Sequence, residues 1–153
     1  MENLVFLNKK EIGFILEKIK EQFGLSELKL DYVFLKNKEN KIFIANKDLD
    51  RIDLKRLRIN SIGLYFCKIE KNWIRLTVEG SQIVGKLAKT NILELNKNQL
   101  KEWITGNNVD VKGLENSCVI IKHINDYFGS GLVKENILIN YFPKTRRLKV
   151  INE

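Results

Sequence analysis

Apolar residues recur at Ile12, Ile15, Leu16, Ile19 and Phe23, the spacing of one helix face, in the stretch from Asn8 to Gly24. Asn8 followed three residues later by Glu11 is an asparagine form of the capping box, and Gly24 supplies a left-handed stop. The pattern predicts an amphipathic helix with Phe14 off its apolar stripe. Its charged positions, Glu11, Lys18, Lys20 and Glu21, alternate in sign and read as a solvated face. From Leu30 the period changes to two. Leu30, Tyr32 and Phe34 fall on one face, Val33 and Leu35 on the other, and Ile42, Phe43 and Ile44 follow the polar turn Asn37 to Asn40, so a hairpin is expected.

The stretch from Lys47 to Arg58 sets Leu49, Ile52, Leu54 and Leu57 among charges and reads as short helical turns. A second hairpin is expected from Ile59 to Ile69 and Trp73 to Thr77, after which Thr77 caps a short helix carrying Ile83, Val84 and Leu87. Near Lys89 a second unit begins: strand Ile92 to Leu95, then helix Asn96 to Thr105 with Leu100, Trp103 and Ile104 inward. Only strands are expected beyond it, over Cys118 to Lys122, Tyr127 to Val133, Ile137 to Tyr141 and Leu148 to Ile151. Short strands split by Gly129, Gly131, the Lys134 to Asn136 turn and Pro143 predict a small closed barrel. No proline-rich or low-complexity stretch separates the two units, so they are expected to pack directly on each other.

Composition adds a bias rather than a class. The 153 residues hold 27 lysines and arginines against 19 acids, a formal net charge of +8, with 44% hydrophobic residues, enough for a packed core. That balance favours a polyanionic partner. Cys67 and Cys118 each lie in an apolar run, which predicts buried, unpaired thiols suited to a reducing cytosol. The N-terminus has neither a basic leader nor a long apolar stretch, so a cytoplasmic protein without secretion signal or membrane span is expected.

Candidate chemistry is sparse. The single histidine, His123, has no ligand set around it, and with two cysteines it cannot close a tetrahedral zinc site. Asp48, Asp50 and Asp53 resemble the start of a calcium loop but lack its glycine and its late glutamate. Gly129-Ser130-Gly131 has neither the third glycine nor the following helix of a dinucleotide loop, and reads instead as a bulge, a corner or a close backbone approach. No metal, cofactor or enzymatic activity is expected.

What remains is Asn140-Tyr141-Phe142-Pro143-Lys144-Thr145-Arg146-Arg147-Leu148-Lys149, with four cations and no acid. Guanidinium forks match phosphates, and an aromatic face stacks an unpaired base. The other reading of the same residues is a solvated basic tail with Tyr141 and Phe142 in the core. An extended chain would put Arg147 and Lys149 on one face and Arg146 on the other, bracing the junction between the units. All four converge only if the turn after Pro143 twists.

Gly106, Val119-Ile120-Ile121, Gly129-Ser130-Gly131, Asn140, Pro143-Lys144 and Arg146-Arg147 resemble the PUA-like domain of RsmF-type, Sun-family RNA 5-methylcytosine methyltransferases, over roughly Lys89 to Asn152. Trp73 to Gly80 and Lys86-Leu87-Ala88 resemble the small α+β unit that precedes that domain, a layout similar to Nip-type ribosome-biogenesis proteins. The resemblance implies binding to structured RNA. It does not carry over methylation: the catalytic cysteines of such enzymes sit in a Rossmann-type domain with a Pro-Cys motif, and the one proline here precedes Lys144.

The resulting expectation is an α+β fold: residues 1–88 as an α+β pre-PUA unit, and residues 89–153 as a PUA-like β-barrel. Its function would be non-catalytic binding of rRNA or tRNA in ribosome biogenesis or RNA modification. The expected contacts are Lys144, Arg146, Arg147 and Lys149, then Tyr141 and Lys134. Residues 1–88 carry 17 basic and 12 acidic side chains and the remainder 10 and 7, so Arg75, Lys86 and Lys89 are expected to extend the path along the junction. The alternative is a protein-interaction subunit that docks on a separately encoded RNA methyltransferase or a preribosomal protein, with Phe14 as a candidate anchor.

Overall fold

A computed structural model of the chain describes residues 4–47 and 63–148. Its first half is an antiparallel sheet in chain order: β1 (Val5–Phe6), β2 (Val33–Lys36), β3 (Lys41–Ala45), β4 (Leu64–Ile69) and β5 (Ile74–Leu76). Helix α1 (Lys9–Phe23) lies against one face. It begins where expected, because Asn8 Oδ1 accepts from the Glu11 N–H at 2.9 Å while the Glu11 carboxylate accepts from the Asn8 N–H at 3.1 Å. It ends at Gly24, whose φ of 68° is the left-handed conformation that glycine takes without strain. Ile15, Ile19 and Phe23 are thereby turned onto Phe34, Ile42, Ile44, Phe66 and Leu76. Each such large apolar side chain contributes about 1.5–3 kcal/mol on burial. The sheet's other face carries a smaller cluster, Leu35, Phe43 and Ala45 with Tyr65 against it.

The free edge at β5 is closed by a side chain. Gln22 of α1 receives the Ile74 N–H at 2.9 Å and donates to the Ile74 carbonyl at 2.7 Å, imitating a neighbouring strand.

Helix α2 (Val78–Val84), capped by Thr77, leads into the second half. There β6 (Ile92–Glu94) pairs parallel with β8 (Ser117–His123), followed antiparallel by β9 (Asp126–Lys134), β10 (Ile137–Ile139) and β7 (Val109–Asp110). This sheet curls as a half-barrel with β6 and β7 at its two edges, consistent with a PUA-like small barrel after an α+β unit. Helix α3 (Lys97–Ile104) joins those edge strands. Its Trp103 is fully buried among Val109, Val111, Val119, Ile121, Val133 and Leu138, and the indole N–H donates to the Phe128 carbonyl at 2.9 Å. The ring fits because Gly131 lacks a side chain: a Cβ there would sit 3.0 Å from the indole and 2.9 Å from the Ile139 carbonyl oxygen.

The halves interlock. Ile120 of β8 belongs to the core under α1, while Val78 of α2 belongs to the core around Trp103. Two buried hydroxyls stitch the seam: Ser81 Oγ accepts from the Gly129 N–H at 2.9 Å, and Ser130 Oγ donates to the Leu76 carbonyl at 3.0 Å. Gly129, with φ of 93°, supplies the bend that brings its N–H to Ser81.

Several expectations need correcting. Leu30 and Tyr32 precede the strand, which starts at Val33, and Leu87 lies past the end of α2 and is half exposed. The strand expected to reach Tyr141 ends at Ile139, and the chain after Pro143 makes a 3-10 turn over Lys144–Arg146. Cys67 is buried, but Cys118, near the start of β8, is only partly so. The helical turns expected between Lys47 and Arg58, including Asp48, Asp50 and Asp53, the strand from Leu148 to Ile151 beyond its first residue, and Lys149 lie outside the described residues. No helix among the described residues is long and apolar enough to cross a membrane.

Candidate nucleic-acid interface

Where β5, the start of α2, β9 and the C-terminal turn meet, they enclose a cleft of about 750 Å³. The floor of one wall is fixed by Asn140. Its side-chain amide donates to the Trp103 and Asn107 carbonyls at 2.8 and 2.7 Å, and its side-chain oxygen accepts from the Phe142 N–H at 2.7 Å. Phe142 is thereby tucked onto Trp103, with ring centroids 6.5 Å apart. Pro143 then turns the chain out, the Arg146 N–H returns to the Pro143 carbonyl at 2.9 Å, and the Leu148 N–H is held by the Ile104 carbonyl at 2.9 Å. A short turn pinned at both ends presents Lys144, Arg146 and Arg147 from a rigid base.

The three cations differ in freedom. Lys144 is exposed and has no ion-pair partner among the described residues. Arg146 donates to the Glu79 carboxylate at 2.5 Å, bracing the turn against α2. Arg147 donates through Nε to the Phe142 carbonyl at 3.0 Å and lies over Gly106, and its two terminal nitrogens have no partner among the described residues. Because the segment bends through Lys144–Arg146, strand alternation does not govern these side chains, and all three line the cleft.

The facing wall is the outer face of the first sheet. Lys41 of β3 is the register partner of Lys68 of β4, which is the register partner of Arg75 of β5, so three cations form a row across adjacent strands. Arg75 pairs with Glu70 at 3.1 Å and lies 5.0 Å above the Tyr141 ring, which meets Trp73 in an edge arrangement with ring centroids 5.5 Å apart. Lys41 pairs with Glu39 at 3.5 Å and approaches Tyr65. Burial pushes the Tyr65 phenol up to about 12, against the pull of the nearby Arg75, so it lines the cleft as a neutral donor at physiological pH. Six cations therefore face the cleft against Glu39 and Glu79.

Of the expected contacts, Arg75, Tyr141, Lys144, Arg146 and Arg147 come together here. Lys86 and Lys89 are exposed between α2 and β6, and Lys134 is exposed at the end of β9; none of the three lines the cleft. Lys41, Lys68 and Tyr65 were not foreseen. The available signal was the cation at a polar strand position in Lys41-Ile42, Cys67-Lys68-Ile69 and Ile74-Arg75-Leu76.

His123 holds a structural contact, its Nδ1 lying 2.7 Å from the Leu95 carbonyl oxygen. Among the described residues no three His, Cys, Asp or Glu side chains converge as a metal site.

A strand–helix–strand series ending in the pinned basic turn is the part of the chain that comparison with known families recovers. Residues 90–148 match the methyltransferase RsmF PUA domain. This stretch is thus a PUA-like region of the RsmF methyltransferase type, and it contributes Asn140 and the Lys144 to Arg147 turn to the cleft. The PUA domain is a non-catalytic RNA-binding domain, so the match points to RNA as partner. No curated protein matches the chain.

Proposed function

We propose that the chain binds rRNA or tRNA during ribosome biogenesis or RNA modification in the cytoplasm, without chemistry of its own, through the edge formed by Lys144, Arg146 and Arg147 with Tyr141 and Arg75 beside it. The division into a pre-PUA unit over residues 1–88 and a PUA unit from 89 onward belongs to the same reading, as does a continuation of the edge into Lys149. Lys86, Lys89 and Lys134 are outlying contacts that a long RNA could reach outside the cleft. The observation that carries the proposal is the convergence of these cations on a turn pinned at both ends, at the seam of a PUA-like region. Pre-positioned guanidinium groups lose little entropy on meeting phosphate.

Titration of tRNA and rRNA fragments at several salt concentrations tests it. Contacts with about three phosphates give a slope of log affinity on log salt of roughly minus two to minus three. Absence of binding at low salt removes the proposal.

One observation favours the second reading, a protein-docking subunit. Phe14 is 62% exposed on α1, with the Lys18 ammonium 6.0 Å from its ring. Phe14→Ser abolishing capture of a methyltransferase or preribosomal protein, with RNA affinity absent throughout, would support that reading.

A further inference from the structure

Lys68 is half buried, stands directly between Lys41 and Arg75, and has no anionic partner among the described residues. Like charges at directly opposed strand positions destabilise a sheet. Glu39 and Glu70 offset the two ends of the row, while its centre has no anion beside it among the described residues. A fold needs no such row; an anion laid along it removes the cost.

The same wall offers flat surfaces. The Arg75 guanidinium, 5.0 Å over the Tyr141 ring, offers a cationic plane, and Tyr65 lies on the same sheet face as Lys41 and Lys68. Unpaired bases stack on such planes and rings, whereas bases inside a duplex are covered by their neighbours. The cleft's volume falls within the roughly 300–1,000 Å³ of sites that enclose small molecules, which fits a splayed nucleotide better than the broad surface of a helix.

We propose that the outer face of the first sheet is the second wall of a site for single-stranded RNA, with phosphates along the Lys41, Lys68 and Arg75 row and an unstacked base against Arg75, Tyr141 and Tyr65. This rests on the RNA-binding reading above and extends it from the PUA-like region to the sheet that precedes it.

The test is fluorescence anisotropy with a labelled short oligouridylate, as a single strand and as a duplex with oligoadenylate, using wild type, Lys41→Gln/Lys68→Gln and Lys68→Arg. Wild type is expected to bind the single strand more tightly than the duplex. The double variant is expected to bind several-fold more weakly and to lose about 1.4 units of salt slope, at about 0.7 per phosphate on single strands. Its melting temperature should hold or rise because repulsion is removed, and Lys68→Arg should keep the wild-type slope. If the double variant unfolds, Lys41→Gln alone reads the same row with a slope change of about 0.7.

Unchanged affinity and slope in the glutamine variants, alongside weakened binding in Arg147→Ala, would overturn this wall and leave the C-terminal edge standing. Equal or tighter duplex binding overturns the single-strand assignment. Equally tight binding of polyglutamate would show a general polyanion surface instead. Failure of wild type to bind any RNA removes both readings together.

Discussion

The Arg146 guanidinium and the Glu79 carboxylate meet at 2.5 Å, tying the C-terminal turn to the first turn of α2. Their side chains remain 46% and 37% exposed, and solvated ion pairs of this kind contribute about 0–1 kcal/mol. The pair therefore matters more for the field in the cleft than for stability. Glu79→Gln is expected to leave the melting temperature nearly unchanged while freeing Arg146 and removing one of the two acids facing the cleft. RNA affinity should rise several-fold, with the salt slope steeper by up to about 0.9. Weaker RNA binding in this variant, measured by titration beside its thermal melt, would mean that the pair positions Arg146 rather than competing for it.

Gly106 has φ of 96°, and a Cβ there would come 2.6 Å from Arg147 Cδ and 2.8 Å from its Nε. Gly113 also has positive φ, 83°, but opens onto free space. Alanine at either site incurs the backbone strain, on the order of 1–3 kcal/mol. Only Gly106→Ala must also displace Arg147. Its cost in urea denaturation should exceed that of Gly113→Ala, and it alone should weaken RNA binding. Equal costs and equal affinities in the two variants would show that Arg147 moves freely.

Much of this arrangement was legible in the residues. The capping box at Asn8 and Glu11, the apolar stripe to Phe23 and the turn at Asn37 are local signals, and each element forms where its own chemistry places it. Pro143 marked a turn in the sequence, but not its 3-10 form over Lys144–Arg146, because three polar residues carry no periodicity and the turn depends on Asn140 and Ile104 from elsewhere in the chain. The Lys41, Lys68 and Arg75 row was hidden for a different reason. Each cation sits plainly at a polar strand position, but their alignment depends on a register shifted by an irregularity between Ile42 and Phe43. Cys118 is more open than its apolar neighbours suggest, because only Val119, Ile120 and Ile121 of this strand are buried and Cys118 lies just outside that run.

The two cysteines should now separate in reactivity. Burial pushes both thiols up, Cys67 most strongly within the core under α1 and Cys118 less so at its partly open position. Thiolate is the reacting form, so neither should modify quickly at neutral pH. Prolonged native labelling is expected to yield one adduct, on Cys118, at a rate rising with pH. Cys67 should react only on unfolding. Mass spectrometry of the intact protein and its peptides checks both statements, and early modification of Cys67 would show that the first core opens readily.

Asn140 is the residue on which the PUA-like wall of the cleft hangs, since one side chain satisfies the Trp103 and Asn107 carbonyls and the Phe142 N–H together. A typical hydrogen bond contributes about 0.5–1.5 kcal/mol net, and more is lost where a group is left buried without a partner. Asn140→Ala should therefore cost roughly 2–4 kcal/mol in chemical denaturation, on that scale for three bonds. Asn140→Asp separates the donors from the acceptor. Its carboxylate still accepts from Phe142 but turns negative charge toward two carbonyl oxygens, so the ionised form is disfavoured in the fold and the carboxyl is held above its usual range. A group raised in this way is stabilising while protonated and loses that contribution as pH rises, so Asn140→Asp should regain stability on acidification relative to Asn140→Ala. RNA affinity should fall in both variants even where each remains folded, because the turn from Pro143 to Arg147 is no longer pinned at Phe142. A folded Asn140→Ala protein with wild-type RNA affinity would mean that the remaining bonds of the Lys144 to Arg147 turn, among them the Arg146–Glu79 pair and the Leu148 to Ile104 bond, suffice to hold it.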